Sequence, residues 1–246
     1  VSEWPEDIAN IRNLGLTTFR VFLCWDRVET ERGKRDFSKI DLAFDLAEKK
    51  GLKVIGNVGG TFTNLQAIYP PRWLVYDLGC TLLKEMPESS GELHFNRFKL
   101  CYDDPRYQQE ARDFIQEAVA RYKDHPSLIA WSGWNEPRIA ECYCEHTRKV
   151  YREWLRKKYG TLEQLAKAWS TEFPVRFRTW EDVYPQPAAS FEAGGYLPYL
   201  DWHRFLEWNR TDTFHMIRSW IRETDPDTPV ISHLCTPMHA DIFGEE

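Results

Sequence analysis

The sequence lacks the features that define several large classes of protein. No apolar run approaches the roughly 18 residues that a transmembrane helix needs. Neither GxGxxG nor GxxxxGK[ST] occurs, so the phosphate-binding loops of nucleotide-binding sheets are missing. The 246 residues carry a net charge of −6, which argues against a surface that follows nucleic-acid phosphates. We therefore expect neither a nucleic acid nor a membrane among the partners.

Cysteine is scarce, and no signal peptide is visible. Six cysteines in 246 residues do not make a disulfide-dense chain, which favours a reducing compartment. The chain begins at Val1 rather than at Met, so the absence of a signal carries little weight. On the cysteine content we expect a cytoplasmic protein.

Aromatic residues, in contrast, are abundant: the chain holds 11 Trp, 11 Tyr and 14 Phe. Tryptophan presents a flat apolar face with an N–H at one edge. Such faces suit sugars, in which C–H and O–H groups alternate. A densely filled core explains the same composition equally well. The composition alone leaves carbohydrate binding and core packing open.

Helical and strand patterns alternate along the chain. Strands are predicted at 17–23, 53–58, 128–134 and 229–234, and helices lie between them. Strands joined by helical crossovers predict a parallel sheet, either open or closed into a (β/α)8 barrel. Strand ends that are rich in Trp, Asn and Glu favour the barrel. We expect one α/β domain over residues 1–246, with long βα loops at 59–101 and 137–200.

Local signals place the ends of several helices. Ser38 is predicted to cap a helix whose inner face holds Ile40, Ala43, Phe44 and Ala47. Further helices are predicted over 150–159 and 201–223. Two other helices are predicted from their first residues. One begins at Asp104-Pro105, and the other begins with the capping box of Thr161 and Gln164.

The end of the strand at 128–134 carries the most specific chemistry. Asn135 and Glu136 follow it directly, and the carboxyl ends of barrel strands form the active face. Pro137 restricts Glu136 to extended backbone, which helps to fix its direction. Glycosidic cleavage needs a carboxylic acid at the leaving oxygen, and an apolar, Trp-lined pocket favours the acid form of Glu136. A simple turn after a strand is the alternative interpretation.

An ordered series of motifs extends from Trp4 to Leu234. It includes Trp25-Asp26-Arg27-Val28-Glu29, Asp36-Phe37-Ser38, Pro71-Arg72-Trp73-Leu74, Pro105-Arg106-Tyr107, Arg121-Tyr122, Asn135-Glu136, Cys142-Tyr143-Cys144 and Ala168-Trp169. In this order the motifs resemble glycoside hydrolase family 42, the β-galactosidases with (β/α)8 catalytic barrels. Single pieces such as Asn-Glu-Pro occur in many barrel glycosidases, whereas the ordered set is much more specific.

The resemblance implies a retaining, exo-acting glycoside hydrolase that acts on a β-galactoside or an oligosaccharide. It gives Glu136 the role of general acid/base, while Asn135 and Arg97 bind the sugar. Trp25 would form an apolar wall of the sugar site, with core packing as its alternative. Arg20 would support the anionic nucleophile, with a structural ion pair as its alternative. Catalysis would need no cofactor.

The resemblance also implies that the chain holds about strands 2–5 of the eight barrel strands. The nucleophile of the family comes from a strand well after the acid/base. We therefore assign no residue of this chain to that role. Members of the family often form trimers, which makes a homo-oligomer an expectation here.

Three cysteines suggest a structural metal site. Some members of the family hold zinc with four cysteines, and Cys101, Cys142 and Cys144 match three of these positions. The fourth position is Thr147, although structural zinc normally has four ligands. His146, Glu145 or a water molecule would then complete a zinc site. The alternative is three reduced thiols without a metal.

Two rival functions remain open. Asn-Glu-Pro at 135–137 is typical of β-mannanases and endoglucanases of the same superfamily, where the family 42 pattern commonly has Tyr in place of Pro137. The chain would then be a glycosidase of different specificity. A non-catalytic carbohydrate-binding barrel would keep the aromatic cleft without the hydrolysis.

Overall fold

The computed structural model describes residues 2–58, 70–85, 93–94, 97–135, 141–171, 174–188 and 195–233. Residues 93–94, 97–98 and 233 are described by their backbone alone. The chain divides into two compact units. The first comprises Val1–Asp77, Gln109–Arg138 and Phe214–Glu246, and the second comprises Leu78–Gln108 and Ile139–Thr213.

The described strands number six. They are β1 (Thr18–Phe22), β2 (Lys53–Asn57), β3 (Leu93–His94), β4 (Arg97–Phe98), β5 (Leu128–Asn135) and β6 (Val230–His233). In the first unit, four of them form one parallel sheet in the order β1-β2-β5-β6. The four predicted strands are therefore confirmed, with ends within one residue of those expected. In the second unit, β3 and β4 form a short antiparallel pair.

Eight α-helices are described. They are α1 (Trp4–Asn13), α2 (Trp25–Val28), α3 (Ser38–Lys49), α4 (Trp73–Tyr76), α5 (Pro105–Tyr122), α6 (Glu145–Tyr159), α7 (Leu162–Trp169) and α8 (Leu197–Thr224). The predicted loops therefore contain structure: α4, β3 and β4 lie within 59–101, and α6 and α7 lie within 137–200. Among the described helices, none is both long and apolar enough to cross a membrane.

The local signals were right at two helix starts and wrong at a third. Asp104 Oδ1 accepts a 2.9 Å hydrogen bond from the Arg106 N–H, as expected of a cap. Thr161 and Gln164 form the full capping box. Ser38, however, is the first residue of α3 and not its cap, because its backbone N–H donates to Asp36 Oδ1 at 2.9 Å. The carboxylate two residues earlier therefore takes the role predicted for Ser38.

Two helices begin earlier than the apolar pattern predicted. Helix α6 starts at Glu145 rather than at residue 150, and α8 starts at Leu197 rather than at 201. In α6 the extra turn holds Glu145, whose carboxylate pairs with Arg148 and Arg152. Apolar spacing does not register this turn, because residues 145–149 are all polar or charged and the buried one among them is Thr147.

Helix α5 buries one apolar face. Six of its residues are 3% exposed or less, namely Ala111, Phe114, Ile115, Ala118, Val119 and Tyr122. They recur at the spacing of a helical stripe, so one side of α5 is apolar. The inner face predicted for α3 is buried in the same way.

The closest approach inside the sheet lies between β2 and β5. Gly56 is the register partner of Trp131, and a Cβ built at Gly56 would lie 2.6 Å from Cζ3 of the indole. The Trp131 Nε1–H donates to Asp225 Oδ2 at 2.8 Å. A Cβ built at Gly133 would meet Phe214 and Ile221 of α8. This face of the sheet therefore turns toward the helices of the first unit.

The second unit has its own aromatic core. Tyr151, Trp202 and Phe205 lie at its centre, with ring centroids 5.0 to 5.3 Å apart. The buried Asp201 carboxylate accepts hydrogen bonds from Tyr159 and from the Trp169 indole at 2.6 and 2.9 Å. Part of the aromatic excess is therefore explained by core packing.

We expect Gly56→Ala to destabilise the protein by about 1–3 kcal/mol, because a methyl group at Gly56 has no room beside the Trp131 ring. The measurement is urea unfolding followed by tryptophan fluorescence. Gly133→Ala is the matched control, because its nearest contact would be the Phe214 ring at 3.2 Å, and it should cost less. A loss for Gly56→Ala no larger than that for Gly133→Ala would contradict this packing.

Candidate active site

The carboxyl ends of the strands in the first unit hold a row of aligned residues. Phe22 at the end of β1 pairs with Asn57 at the end of β2, and Asn57 pairs with Ser132 of β5. Further along β5, Asn135 pairs with His233 of β6. Because these strands are parallel, their ends meet at one edge of the sheet, where barrel enzymes hold their active sites.

Asn135 is the last residue of β5 and is fully buried. The sheet therefore brings the chain to its edge one residue before Glu136. Glu136 itself lies outside the described residues. Its role as general acid/base, and that of Asn135 in binding the sugar, therefore remain predictions.

Asn57 and Ser132 are two polar residues at this edge that the sequence analysis did not single out. Both have 0% exposure. The amide of Asn57 and the hydroxyl of Ser132 have no hydrogen-bond partner among the described residues. A signal was present in each case, because a polar residue stands in the carboxyl-terminal half of a largely apolar strand.

Arg20 lies on β1 and is half-buried. Its guanidinium carbon lies 4.6 Å from the centroid of the Phe22 ring, so the charged group reaches the level of the strand end. No carboxylate in the described part of the chain forms an ion pair with Arg20. The structural ion pair that the sequence left open therefore has no partner among these residues.

Trp25 lies in α2, directly after β1, and its exposure is 0%. Its indole N–H donates to Glu29 at 2.8 Å. The ring stacks on Phe114 at 5.3 Å and meets Trp73 edge-on at 5.9 Å. These contacts support the core-packing interpretation of Trp25, and its contact with a sugar remains a prediction.

Arg97 begins β4, in the short antiparallel pair of the second unit. Its backbone is described and its side chain is not. The predicted hydrogen bond to a sugar hydroxyl therefore remains a prediction.

The three cysteines predicted as metal ligands lie together in the second unit. The Sγ atoms of Cys101, Cys142 and Cys144 are all within 4.8 Å of one another. Each residue is at most 2% exposed. Residues 101 and 142–144 are far apart in the chain, so the fold and not local sequence brings the thiols together. The arrangement could hold a metal ion.

The electrostatics of the cluster suit a thiophilic ion. The neighbouring Cys101 and Cys142 thiols hold the pKa of Cys144 well below its ordinary value, although burial opposes them. A lowered pKa favours the thiolate, the form that binds metals. Three sulfur donors fill three positions of a tetrahedral zinc site.

Thr147, at the position of the family's fourth cysteine, places an oxygen beside the cluster. Thr147 Oγ1 lies 3.2 Å from Cys101 Sγ and donates a 2.6 Å hydrogen bond to Asp103. His146, the alternative fourth ligand, is outside the group of converging ligand atoms. Its Nε2 lies 3.7 Å from Asp104 Oδ2 instead. Asp103, which the sequence analysis did not consider, is also outside that group and reaches the cluster through its hydrogen bond from Thr147.

The fold and this edge of the sheet place the chain in a recognisable class. Four parallel strands with helical crossovers form part of a (β/α)8 barrel, and an Asn-Glu pair follows one strand at the edge where barrel hydrolases act. These features define a barrel-type glycoside hydrolase. The chain belongs to the glycoside hydrolase 42 family, described as β-galactosidase, whose profile matches residues 1–244.

Named relatives agree with this family. The chain is 29% identical over 248 residues to the β-galactosidase LacZ of Heyndrickxia coagulans, covering 99% of this chain and 36% of that protein. It is 31% identical to the β-galactosidase BgaA of a Thermus species, covering 98% of this chain and 37% of that protein. The chain thus spans about a third of the length of the curated relatives that it matches.

Solved structures support the predicted fold class. The polyextremophilic β-galactosidase of Halorubrum lacusprofundi superposes with a TM-score of 0.80 at 26% sequence identity. The match covers 93% of this chain and 34% of that structure. The prediction of an incomplete (β/α)8 barrel is confirmed.

We expect Asp104 to stabilise the protein at neutral pH and to lose this effect in acid. Burial alone would raise the pKa of Asp104, but hydrogen bonds from the Arg106 side chain and the Thr81 N–H hold it well below its ordinary value. A group whose pKa is lower in the folded state stabilises above its unfolded pKa of about 4, and less as pH falls.

Asp104→Asn should therefore cost about 1–3 kcal/mol at pH 7, and clearly less at pH 3. Urea unfolding at the two pH values measures the difference. Asp45→Asn, at an exposed position on α3, is the control and should change stability little at either pH. An equal cost for Asp104→Asn at pH 7 and pH 3 would contradict the assignment.

Proposed function

We propose that the intact protein is a retaining, exo-acting β-galactosidase. The observation that carries the proposal is that β5 ends at a buried Asn135, directly before Glu136, at the carboxyl edge of a parallel sheet. Membership of the family and the names of the relatives support a β-galactoside or an oligosaccharide as substrate.

In this proposal, Glu136 donates a proton to the leaving glycosidic oxygen and later activates the water that releases the sugar. Asn135 beside it donates a hydrogen bond to a sugar hydroxyl, because its amide carries two N–H groups. Retention requires a second carboxylate about 5–5.5 Å from Glu136 as nucleophile. Arg20 would stabilise the negative charge of that group. No cofactor takes part in these steps.

We also propose that residues 1–246 belong to one catalytic barrel domain and that Arg97 contacts the substrate. Trp25 and Trp73, which are buried after β1 and in α4, would help to keep water from the site. A drier site favours the acid form of Glu136 before it donates its proton.

The central prediction concerns Glu136→Ala in the intact protein. We expect kcat/KM for phenyl β-galactoside to fall by about 10²–10⁴-fold, because its poor leaving group needs protonation. With 2,4-dinitrophenyl β-galactoside, the rate of the glycosylation step should fall far less. Added azide should restore turnover and yield β-galactosyl azide, which product analysis by NMR detects.

Glu153→Ala is a suitable control, because Glu153 is exposed on α6 and pairs only with Arg156 among the described residues. Full activity of Glu136→Ala on the phenyl galactoside would show that Glu136 is not the acid. Aryl β-mannosides and cello-oligosaccharides, assayed with the wild-type protein, decide between a β-galactosidase and the β-mannanase or endoglucanase alternatives.

We further propose that Cys101, Cys142 and Cys144 hold a structural zinc ion. The convergence of the three buried sulfurs supports this assignment. The fourth ligand would be an oxygen, either that of a water molecule or that of Asp103 once its bond to Thr147 is released. A site with three thiolates should bind zinc less tightly than one with four.

Elemental analysis of protein purified without chelator should therefore find about one zinc per chain. Cys142→Ala should abolish this zinc and lower the melting temperature, because the binding free energy contributes to folding. Cys80→Ala is the matched control, since Cys80 is another buried cysteine outside the group. Zinc far below one per chain in the wild type, or unchanged in Cys142→Ala, would contradict the site.

A further inference from the structure

Asn57 and Ser132 are polar groups that the packing of the described residues does not explain. Both side chains are fully buried and have no hydrogen-bond partner in the described part of the chain. Leaving a buried polar group unpaired destabilises the folded protein, because the group loses its hydrogen bonds to water. Such a group usually has a function, such as holding a ligand whose polar atoms complete its hydrogen bonds.

The sheet geometry gives the direction of both side chains. Gly56 and Trp131, one residue before Asn57 and Ser132 respectively, point toward the helices, as the contacts of Gly56 and the Trp131–Asp225 bond show. Successive side chains of a strand point to opposite faces of the sheet. Asn57 and Ser132 therefore point to the other face, which is the interior of a barrel.

The two side chains also lie side by side. Asn57 and Ser132 are register partners on neighbouring parallel strands. Phe22, the partner of Asn57 on β1, points to the same face and carries the Arg20 guanidinium over its ring. An amide, a hydroxyl and a cation therefore share one level of the sheet, at the edge that leads to Glu136.

The spacing along β5 matches the dimensions of one sugar ring. Asn135, the last residue of β5, lies three residues after Ser132, which corresponds to about 10 Å along an extended strand. A pyranose about 5–6 Å across, with a hydrogen bond of about 3 Å at either end, spans a similar distance. The pair lies at the depth that the end of a terminal sugar remote from the scissile bond would reach.

We propose that Asn57 and Ser132 form the polar floor of the terminal-sugar subsite and hydrogen-bond a hydroxyl group remote from the scissile bond. The amide and the hydroxyl each donate and accept, which matches the chemistry of a sugar hydroxyl. This assignment rests on the proposed function and adds two specificity-determining residues to it.

The test couples a change in the enzyme to a change in the substrate. The kcat/KM of intact wild type, Asn57→Leu and Ser132→Ala is measured with an aryl β-galactoside and its 3-, 4- and 6-deoxy analogues. We expect each variant to lose about 10–100-fold on the parent substrate. For the one analogue that lacks the bound hydroxyl, wild type and variant should differ by less than threefold.

Ile55→Val is the control, because Ile55 lies two residues before Asn57 on the same face and is apolar. For every deoxy analogue, this variant should lose the same factor in kcat/KM relative to the parent substrate as the wild type does. Ser132→Ala removes a single oxygen, so it keeps the test valid if Asn57→Leu fails to fold. The pH profile of kcat/KM should be unchanged in both variants.

If both variants lose the same factor in kcat/KM for each deoxy analogue as the wild type does, the assignment is overturned. The β-galactosidase function would be left intact. A shifted pH profile of kcat/KM, with the losses for the deoxy analogues unchanged from wild type, would also overturn the assignment. The pair would then act on a carboxylate and not on the sugar. Absence of all glycosidase activity in the wild type would instead overturn the proposed function, and this assignment with it.

Discussion

The contact between Gly56 and Trp131 is the constraint on which the candidate site depends. The missing side chain at Gly56 makes room for the indole, and the Trp131–Asp225 hydrogen bond ties the same ring to the loop before β6. Together they fix the register of β2 against β5 and the face that each residue presents. A slip of one residue would turn Asn57 and Ser132 toward the helices and change the face on which Glu136 follows.

The second unit is organised around buried polar groups as much as around its aromatic core. Asp104 accepts hydrogen bonds from Thr81 and Arg106 at the start of α5, three residues after Cys101. Cys101 in turn lies against Thr147 of α6 and Cys144 just before it. The start of α5 is thus tied to the start of α6 through the thiol cluster, so the metal proposal concerns the stability of this unit and not the chemistry at Glu136.

The sequence predicted the elements that burial determines, such as the four strands and the inner face of α3, because apolar spacing reports burial directly. It failed at helix starts where the residues are polar. Phe37, and not Ser38, is the cap residue of α3, and α6 begins about one turn before its predicted start. Asn135 could be placed at a strand end because one motif carries it. The pairing of Asn57 with Ser132 could not be predicted, because the sequence of neither strand alone determines the register between strands that are distant in the chain.

A crystal structure of the intact protein with a non-hydrolysable thio-β-galactoside tests the central claim most directly. The claim is that β5 delivers Glu136 to the scissile bond. The prediction is that a Glu136 carboxylate oxygen lies within 3.2 Å of the thioglycosidic sulfur or of the adjacent ring, with Asn135 donating to the same sugar. A galactoside bound at the carboxyl edge of the sheet with Glu136 turned away from the glycosidic bond would contradict the claim.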